Sequence, residues 1–170
     1  MREVLLITGG VRSGKSRYAE ARIAAHTPPW VYIATAEARD GEMAERIRRH
    51  RARRSGDWRT LEAPLALTEA LAESEGASGR LVDCLTLWLS NLMEADRDIA
   101  AETEQLCGYL AETRTPVVLV TNEVGLGIVP ENPLARRFRD AAGELNQAVA
   151  EVAGEVVLMV AGHPVPVKPA

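Results

Sequence analysis

Short apolar runs recur along the chain at Val4 to Ile7, Trp30 to Ala34, Leu81 to Asp83, Val117 to Val120 and Val156 to Ala161, each separated from the next by stretches of helical character. Runs without polar alternation suit strands that are covered on both faces, because neither face meets water. Their alternation with helices implies crossover connections, and so predicts a mostly parallel sheet with helices on both sides. In such sheets ligands collect at the carboxyl ends of the strands. The residues just beyond each run are therefore where chemistry is to be sought. Leu134 to Ala153 predicts a long helix, and Ser74 to Gly79 a surface loop before the third core strand. No internal repeat, low-complexity tract or long linker interrupts the pattern.

Beyond the first run, Gly9-Gly10-Val11-Arg12-Ser13-Gly14-Lys15-Ser16 is a full GxxxxGK[ST] phosphate-binding loop, followed by the helix formers Arg17 to Arg22. The chemistry needs this strand, loop and helix order. Glycines let backbone amides approach phosphate oxygens, the helix start offers unpaired N–H groups, Lys15 reaches the β- and γ-phosphates, and Ser16 can ligate magnesium. Asp83, at the end of another run, stands where such an enzyme places the acid that helps hold magnesium, directly or through water. The alternative for Asp83 is a helix N-cap.

Composition narrows the picture. A chain of 170 residues fits one domain, residues 1–170, and buries roughly 70% of its unfolded-state surface without needing a staple. Hydrophobic residues make up 46% and charged residues 26%, as in ordinary globular proteins, while aromatics at 4% argue against a stacking platform for single-stranded nucleic acid. The net charge of -4 agrees. No run approaches the roughly 20 apolar residues of a membrane span, and the first apolar stretch is too short for a signal peptide, so a cytoplasmic protein is expected. Cys84 and Cys107 lack metal or disulfide spacing and are expected as buried free thiols.

Between Arg39 and Arg59 lie eight of the twenty basic residues, around His50. Such a run is usually a solvated helix face, with Glu42–Arg46 and Glu45–Arg49 as i,i+4 pairs. Met43, Ile47 and His50 nevertheless share one apolar side at spacings of four and three. An imidazole there is either a satisfied core histidine or, facing a nucleotide cleft amid cations, one held neutral and nucleophilic. Thr121 to Pro133 forms a polar, glycine-containing excursion at a strand's carboxyl end, the kind of loop that carries function. In the helix beyond it, Arg136, Arg137 and Arg139 either clamp phosphate or lie on a plain amphipathic surface. His26 marks a helix end, and His163 precedes Pro164 in an extended tail.

Taken together, these residues resemble the bifunctional adenosylcobinamide kinase / adenosylcobinamide-phosphate guanylyltransferase family over nearly the whole chain. The resemblance rests on Thr8 to Ser16, Tyr32 to Ala36, Asp40 to Met43, then His50, Arg54, Trp58, Thr60 and Glu62. It continues through Thr121 to Gly125, Ile128 to Asn132, and Arg136, Phe138, Arg139, Asp140, Gly143 and Asn146. Ser55 stands where a proline is expected, and Arg49 where some members carry a second histidine. The resemblance implies a RecA-like P-loop NTPase fold and two reactions. One phosphorylates adenosylcobinamide; the other moves GMP from GTP through a GMP-histidine at His50 to adenosylcobinamide phosphate, giving adenosylcobinamide-GDP. ATP and GTP are substrates and Mg2+ is the cofactor. It further implies that Ala34, Thr35, Ala36, Arg51, Ala52, Arg53, Arg54, Glu62 and Asp83 surround the nucleotide, with Ser16 and Asp83 at the metal, and that the protein is a homotrimer. The readings set against it are a RecA-like DNA-dependent ATPase and a nucleotide-gated switch that forms no covalent adduct.

Overall fold

A computed structural model of the chain describes residues 3–37, 41, 45, 48 and 56–169. The seven strands β1 (Val4–Gly9), β2 (Trp30–Ala34), β3 (Trp58–Glu62), β4 (Gly79–Asp83), β5 (Val117–Val120), β6 (Glu155–Val160) and β7 (His163–Lys168) form one sheet in the order β3-β2-β4-β5-β1-β6-β7. All neighbours pair in parallel except β6 and β7, which form an antiparallel hairpin. The five apolar runs are β1, β2, β4, β5 and β6, so the expected mostly parallel sheet is present. Structure adds β3 and β7. Trp58-Arg59-Thr60-Leu61-Glu62 has only part of its surface buried, so it lacks a continuous apolar signature. The stretch expected as an extended tail is the edge strand β7, where prolines are tolerated because half of the N–H groups face away from the sheet.

Five helices are described: α1 (Lys15–Ala24), α2 (Leu67–Glu73), α3 (Leu85–Glu94), α4 (Ile99–Glu112) and α5 (Pro133–Val152). Successive strand residues point to opposite faces, and both faces are dry. Leu5, Ile7, Leu81, Val118 and Val120 pack under Ala19 and Ile23 of α1. Leu6, Ile33, Val82 and Leu119 pack with Leu71, Trp88, Leu106 and Leu145 from the other helices. Helices thus cover both sides, with α1 over one of them. The Ser74 to Gly79 loop departs from expectation at its ends. Ser74 is buried, its hydroxyl donating to Ala70 O and Leu71 O, and Gly79 already belongs to β4, the fourth strand in the chain. No helix among the described residues is long and apolar enough to cross a membrane.

Arg80, near the N-terminal end of β4, is fully buried. Its guanidinium donates to Leu71 O (2.8 Å), the Tyr109 hydroxyl (2.5 Å), Thr113 Oγ1 (2.6 Å) and Thr115 O (2.9 Å), joining β4 to the ends of α2 and α4. Arg80→Met keeps the length of the stem but leaves these acceptors without their charged donor. The expected cost is about 2–4 kcal/mol, read as a lower midpoint in urea unfolding with an unchanged slope.

Candidate active site

The phosphate-binding loop begins where β1 ends. Gly9 adopts φ +146°, and a Cβ there would sit 2.6 Å from Met159 O, so a side chain is excluded by both conformation and space. From Gly10 the chain turns, with Ser13 N–H donating to Gly10 O at 3.3 Å, and enters α1 through Gly14. The start of α1 has no side-chain cap and no acid in its first turn. Its leading amides therefore face the loop's concavity as an anion site, favoured further by the helix dipole. Val11 and Arg12 form the exposed tip. Lys15 is buried, and its Nζ donates to Gly9 O (2.9 Å) and Gly10 O (2.6 Å).

Asp83, at the carboxyl end of β4, faces the start of α1. Its Oδ2 accepts from Ser16 Oγ at 3.4 Å and from the Tyr32 hydroxyl at 2.8 Å. The capping alternative falls away, because the N-cap of α3 is Cys84 and no side chain caps it. Tyr32 is a residue that sequence reasoning left without a role in the site. It is steadied by Trp58, 6.3 Å away edge-on, while Trp58 stacks obliquely on Trp30 at 5.3 Å. Its position two residues before the end of an apolar strand was the available signal, since period two places Tyr32 and Ala34 on one face.

Ala34, Glu62 and Asp83 are register partners at the carboxyl ends of β2, β3 and β4. Thr35 is fully buried and braces the end of β4: its Oγ1 donates to Cys84 O and accepts from Cys84 N–H, both at 2.8 Å. Asn91 of α3 donates to Thr35 O at 2.8 Å. Ala36 follows, half-buried, and Glu62 is exposed. Gly9 to Ser16, Ala34 to Ala36, Glu62 and Asp83 thus share one end of the sheet. His50, Arg51, Ala52, Arg53 and Arg54 lie outside the described residues, as do Met43, Ile47 and the pairs Glu42–Arg46 and Glu45–Arg49. Glu45 is described as helical and pairs with Arg48.

Burial and the neighbouring charge of Asp83 push the Cys84 thiol up to about 11, so it remains protonated at neutral pH and is no nucleophile. Cys84 is a buried free thiol as expected, whereas Cys107 is only half-buried.

The loop after β5 is rooted by a network that sequence reasoning did not anticipate. Glu123 N–H donates to Gly9 O (3.1 Å), and Thr86 Oγ1 of α3 accepts Asn122 N–H (2.8 Å). The Thr121 hydroxyl donates to Asn146 Oδ1 of α5 at 2.7 Å. Thr86 carries no sequence signal, because its partner is 36 residues away. Arg136 turns onto Pro130 O and Glu131 O at 2.9 and 2.6 Å, and Arg139 onto Asp140 at 3.2 Å. Arg136 thereby clamps its own loop. Leu126 and Ile128, 87% and 97% exposed, project from that loop beside the site.

The fold is shared with solved structures of low sequence identity. A KaiC-like protein from Pyrococcus horikoshii aligns over 91% of this chain and 69% of its own, with TM-score 0.55 and 17% identity. The flagellar accessory protein FlaH from Methanocaldococcus jannaschii aligns over 98% and 78%, with TM-score 0.54 and 11% identity. Sequence similarity is closer to another group. The bifunctional adenosylcobalamin biosynthesis protein CobP of Pseudomonas aeruginosa is 54% identical over 168 residues, 96% of each chain. The CobU proteins of Salmonella typhimurium and Escherichia coli, described in the same words, are 42% and 43% identical over 97% of this chain and 99% of theirs. The model of the cobinamide kinase / cobinamide phosphate guanyltransferase family matches residues 5–167. With its phosphate loop, the Ser16–Asp83 contact and the Asn122 to Gly125 turn on one sheet end, the chain belongs to the cobinamide kinase / cobinamide phosphate guanyltransferase family.

Proposed function

We propose that this chain phosphorylates adenosylcobinamide and then converts adenosylcobinamide phosphate into adenosylcobinamide-GDP. The observation that carries this reading is the Asp83 carboxylate held against Ser16 at the mouth of a complete phosphate loop, in a chain of this family. In the kinase step the hydroxyl oxygen of the substrate's aminopropanol arm attacks the γ-phosphorus. The bond from that phosphorus to its bridging oxygen breaks, the nucleoside diphosphate leaves and the hydroxyl proton is released to solvent. Lys15 and the loop amides offset charge on the transferred group. In the guanylyl step an imidazole nitrogen of His50 attacks the α-phosphorus of GTP and pyrophosphate leaves. A phosphate oxygen of the corrinoid then displaces the histidine from GMP. Splitting the transfer means that two polyanions never meet in one displacement. Arg51, Ala52, Arg53, Arg54, Glu62 and Ala34 to Ala36 complete the nucleotide's surroundings, and the working form is a homotrimer.

The donor set suits magnesium. Ser16 and Asp83 supply two hard oxygens, and a small octahedral cation that keeps several waters and binds phosphate oxygens needs no more from the protein. Bound there, magnesium supplies neutralisation of phosphate charge. Exposed Leu126 and Ile128 offer apolar surface to a large macrocycle.

The reading is tested by incubating the protein with magnesium, ATP or GTP, and adenosylcobinamide, and identifying the products. Adenosylcobinamide phosphate followed by adenosylcobinamide-GDP is expected. Unchanged corrinoid with every nucleotide would refute it. Asp83→Asn, nearly isosteric and still able to accept from Tyr32, should raise the magnesium concentration for half-maximal rate by roughly an order of magnitude while leaving the unfolding midpoint near that of the wild type.

A further inference from the structure

The main chain at Asn122 is held from both sides, while its side-chain amide makes no hydrogen bond among the described residues. The holding groups close into a ring. Asn122 N–H donates to Thr86 Oγ1 at 2.8 Å, and Thr86 Oγ1 lies 3.4 Å from Thr121 Oγ1. The Thr121 hydroxyl donates to Asn146 Oδ1 at 2.7 Å, and Asn146 Nδ2 returns to Asn122 O at 3.4 Å. Since Thr121 commits its proton to Asn146, Thr86 is the donor between the two hydroxyls, and every bond of the ring runs in one direction. Such bonds polarise one another, so α3 and α5 fix this short stretch of backbone firmly.

The ladder to β1 continues past the end of β5, with Thr121 N–H on Ile7 O at 2.9 Å and Glu123 N–H on Gly9 O at 3.1 Å. Period two therefore still holds. It puts Asn122 on the face of Val118 and Val120, which α1 covers, and Thr121 on the other. Val120 is level with Asp83 across the β4–β5 pair, so Asn122 stands about 6–7 Å further along the strand direction than Asp83. On the opposite side Gly9 O, which accepts Glu123 N–H, also accepts from Lys15 Nζ at 2.9 Å. A half-buried amide thus extends from the middle of three strands, with the loop lysine to one side and Asp83 to the other.

Resting on the kinase reading above, we propose that the Asn122 amide orients the acceptor hydroxyl of the corrinoid's aminopropanol arm for attack on the γ-phosphorus. The nucleotide's phosphates already have the loop amides, Lys15 and a cation at Ser16 and Asp83. The attacking oxygen has no partner in that set. Oδ1 of Asn122 accepts the hydroxyl hydrogen, which turns a lone pair of the alcohol oxygen toward phosphorus. The amide takes no proton, so the hydroxyl proton still leaves to solvent as the new bond forms. A neutral group suits this place, because a carboxylate would set a second negative charge against the γ-phosphate. The segment that follows carries exposed Leu126 and Ile128, so one loop offers apolar surface to the macrocycle and an amide to its arm. Thr86, Thr121 and Asn146 are positioning residues that act through Asn122.

The test measures phosphorylation of adenosylcobinamide and, without corrinoid, affinity for ATP and GTP with magnesium. Asn122→Ala should lower kcat for phosphorylation by about 100-fold and keep nucleotide affinity within about twofold. Asn122→Gln keeps the amide but carries it one methylene out of place, and should lose about tenfold or more in kcat. Thr86→Val removes a hydroxyl of the ring and should lower the same rate by about tenfold in the wild-type background, but by less than about twofold in the Asn122→Ala background. Wild-type phosphorylation in either Asn122 variant would overturn the proposal. So would a tenfold or greater loss of nucleotide affinity in Asn122→Ala, on the order of 1.4 kcal/mol, because Asn122 would then be a nucleotide contact. Additive losses in the double variant would overturn the positioning role of the ring. A wild type that leaves adenosylcobinamide unphosphorylated with every nucleotide would instead overturn the kinase reading, and this proposal with it.

Discussion

Lys15→Ala should lower the rates of both phosphorylation and guanylyl transfer by roughly 10²–10³-fold. Lys15 is the buried cation inside the loop, and its Nζ is placed by Gly9 O and Gly10 O, the carbonyls that rim the phosphate concavity. On the proposed mechanism both reactions develop charge on phosphate oxygens that the same loop cradles, whichever phosphorus is attacked, so one substitution strikes both. A charge-assisted contact to phosphate contributes about 1.5–3 kcal/mol in the ground state and more where charge grows in the transition state. The loss should therefore fall on kcat more than on KM, and steady-state kinetics of each half-reaction reads the split. Folding should survive, because alanine is a good helix former at the first position of α1. A Lys15→Ala enzyme with wild-type rates in both steps would show that the loop is not the site.

His50→Ala should abolish formation of a covalent GMP adduct while the kinase step persists. A phosphoramidate on histidine is stable in base and hydrolyses in acid, so protein exposed to GTP labelled at the α-phosphate should carry acid-labile label, and protein exposed to γ-labelled GTP should carry none. The helical period groups His50 with Met43 and Ile47, and the resemblance in spacing to Arg54, Trp58 and Glu62 implies the nucleophilic role proposed for it. Cys84 is no rival, because burial and the charge of Asp83 keep its thiol protonated at neutral pH. Label retained in His50→Ala, or found on His26 or His163 after digestion, would return His50 to the satisfied core histidine that its apolar neighbours also suit.

Acid should loosen one contact on α1 in a defined direction. Arg22 donates to both carboxylate oxygens of Glu155, at 2.9 and 2.6 Å, and this holds the Glu155 carboxyl below its ordinary range. The native state then binds the proton less readily than the unfolded chain, so the contact stabilises at neutral pH and its contribution disappears as pH falls through the native value. Both side chains are partly solvated, so Glu155→Gln should cost about 1 kcal/mol or less near pH 7, and the difference from wild type should vanish in strong acid.

Local chemistry made the phosphate loop readable from the chain. Gly9, Gly14, Lys15 and Ser16 act through their own backbone and their spacing, and Gly9 is required there because Met159 O lies where its Cβ would go. Apolar runs likewise announced β1, β2, β4, β5 and β6, because strands buried on both faces leave no polar residue to disguise them. Leu134 to Ala153 was readable within one residue at either end as α5, since a proline at its first turn and Asn132 as its cap signal its start. What the chain alone left open was every choice that depends on a distant partner. Asp83 suited either a cap or the metal site; the register of β4 beside β2 brought it to Tyr32 and the packing of α1 brought it to Ser16, away from any cap. Arg136 suited either a phosphate or a plain amphipathic surface, and the path of residues 130–132 turned it onto its own loop. The edge strands β3 and β7 have one neighbour each, so their sequences carry half the burial signal of a central strand and were decided by pairing. The close approach of Gly14 to Gly162 belongs wholly to tertiary structure, because the two lie at opposite ends of the chain and meet only once β6 pairs with β1.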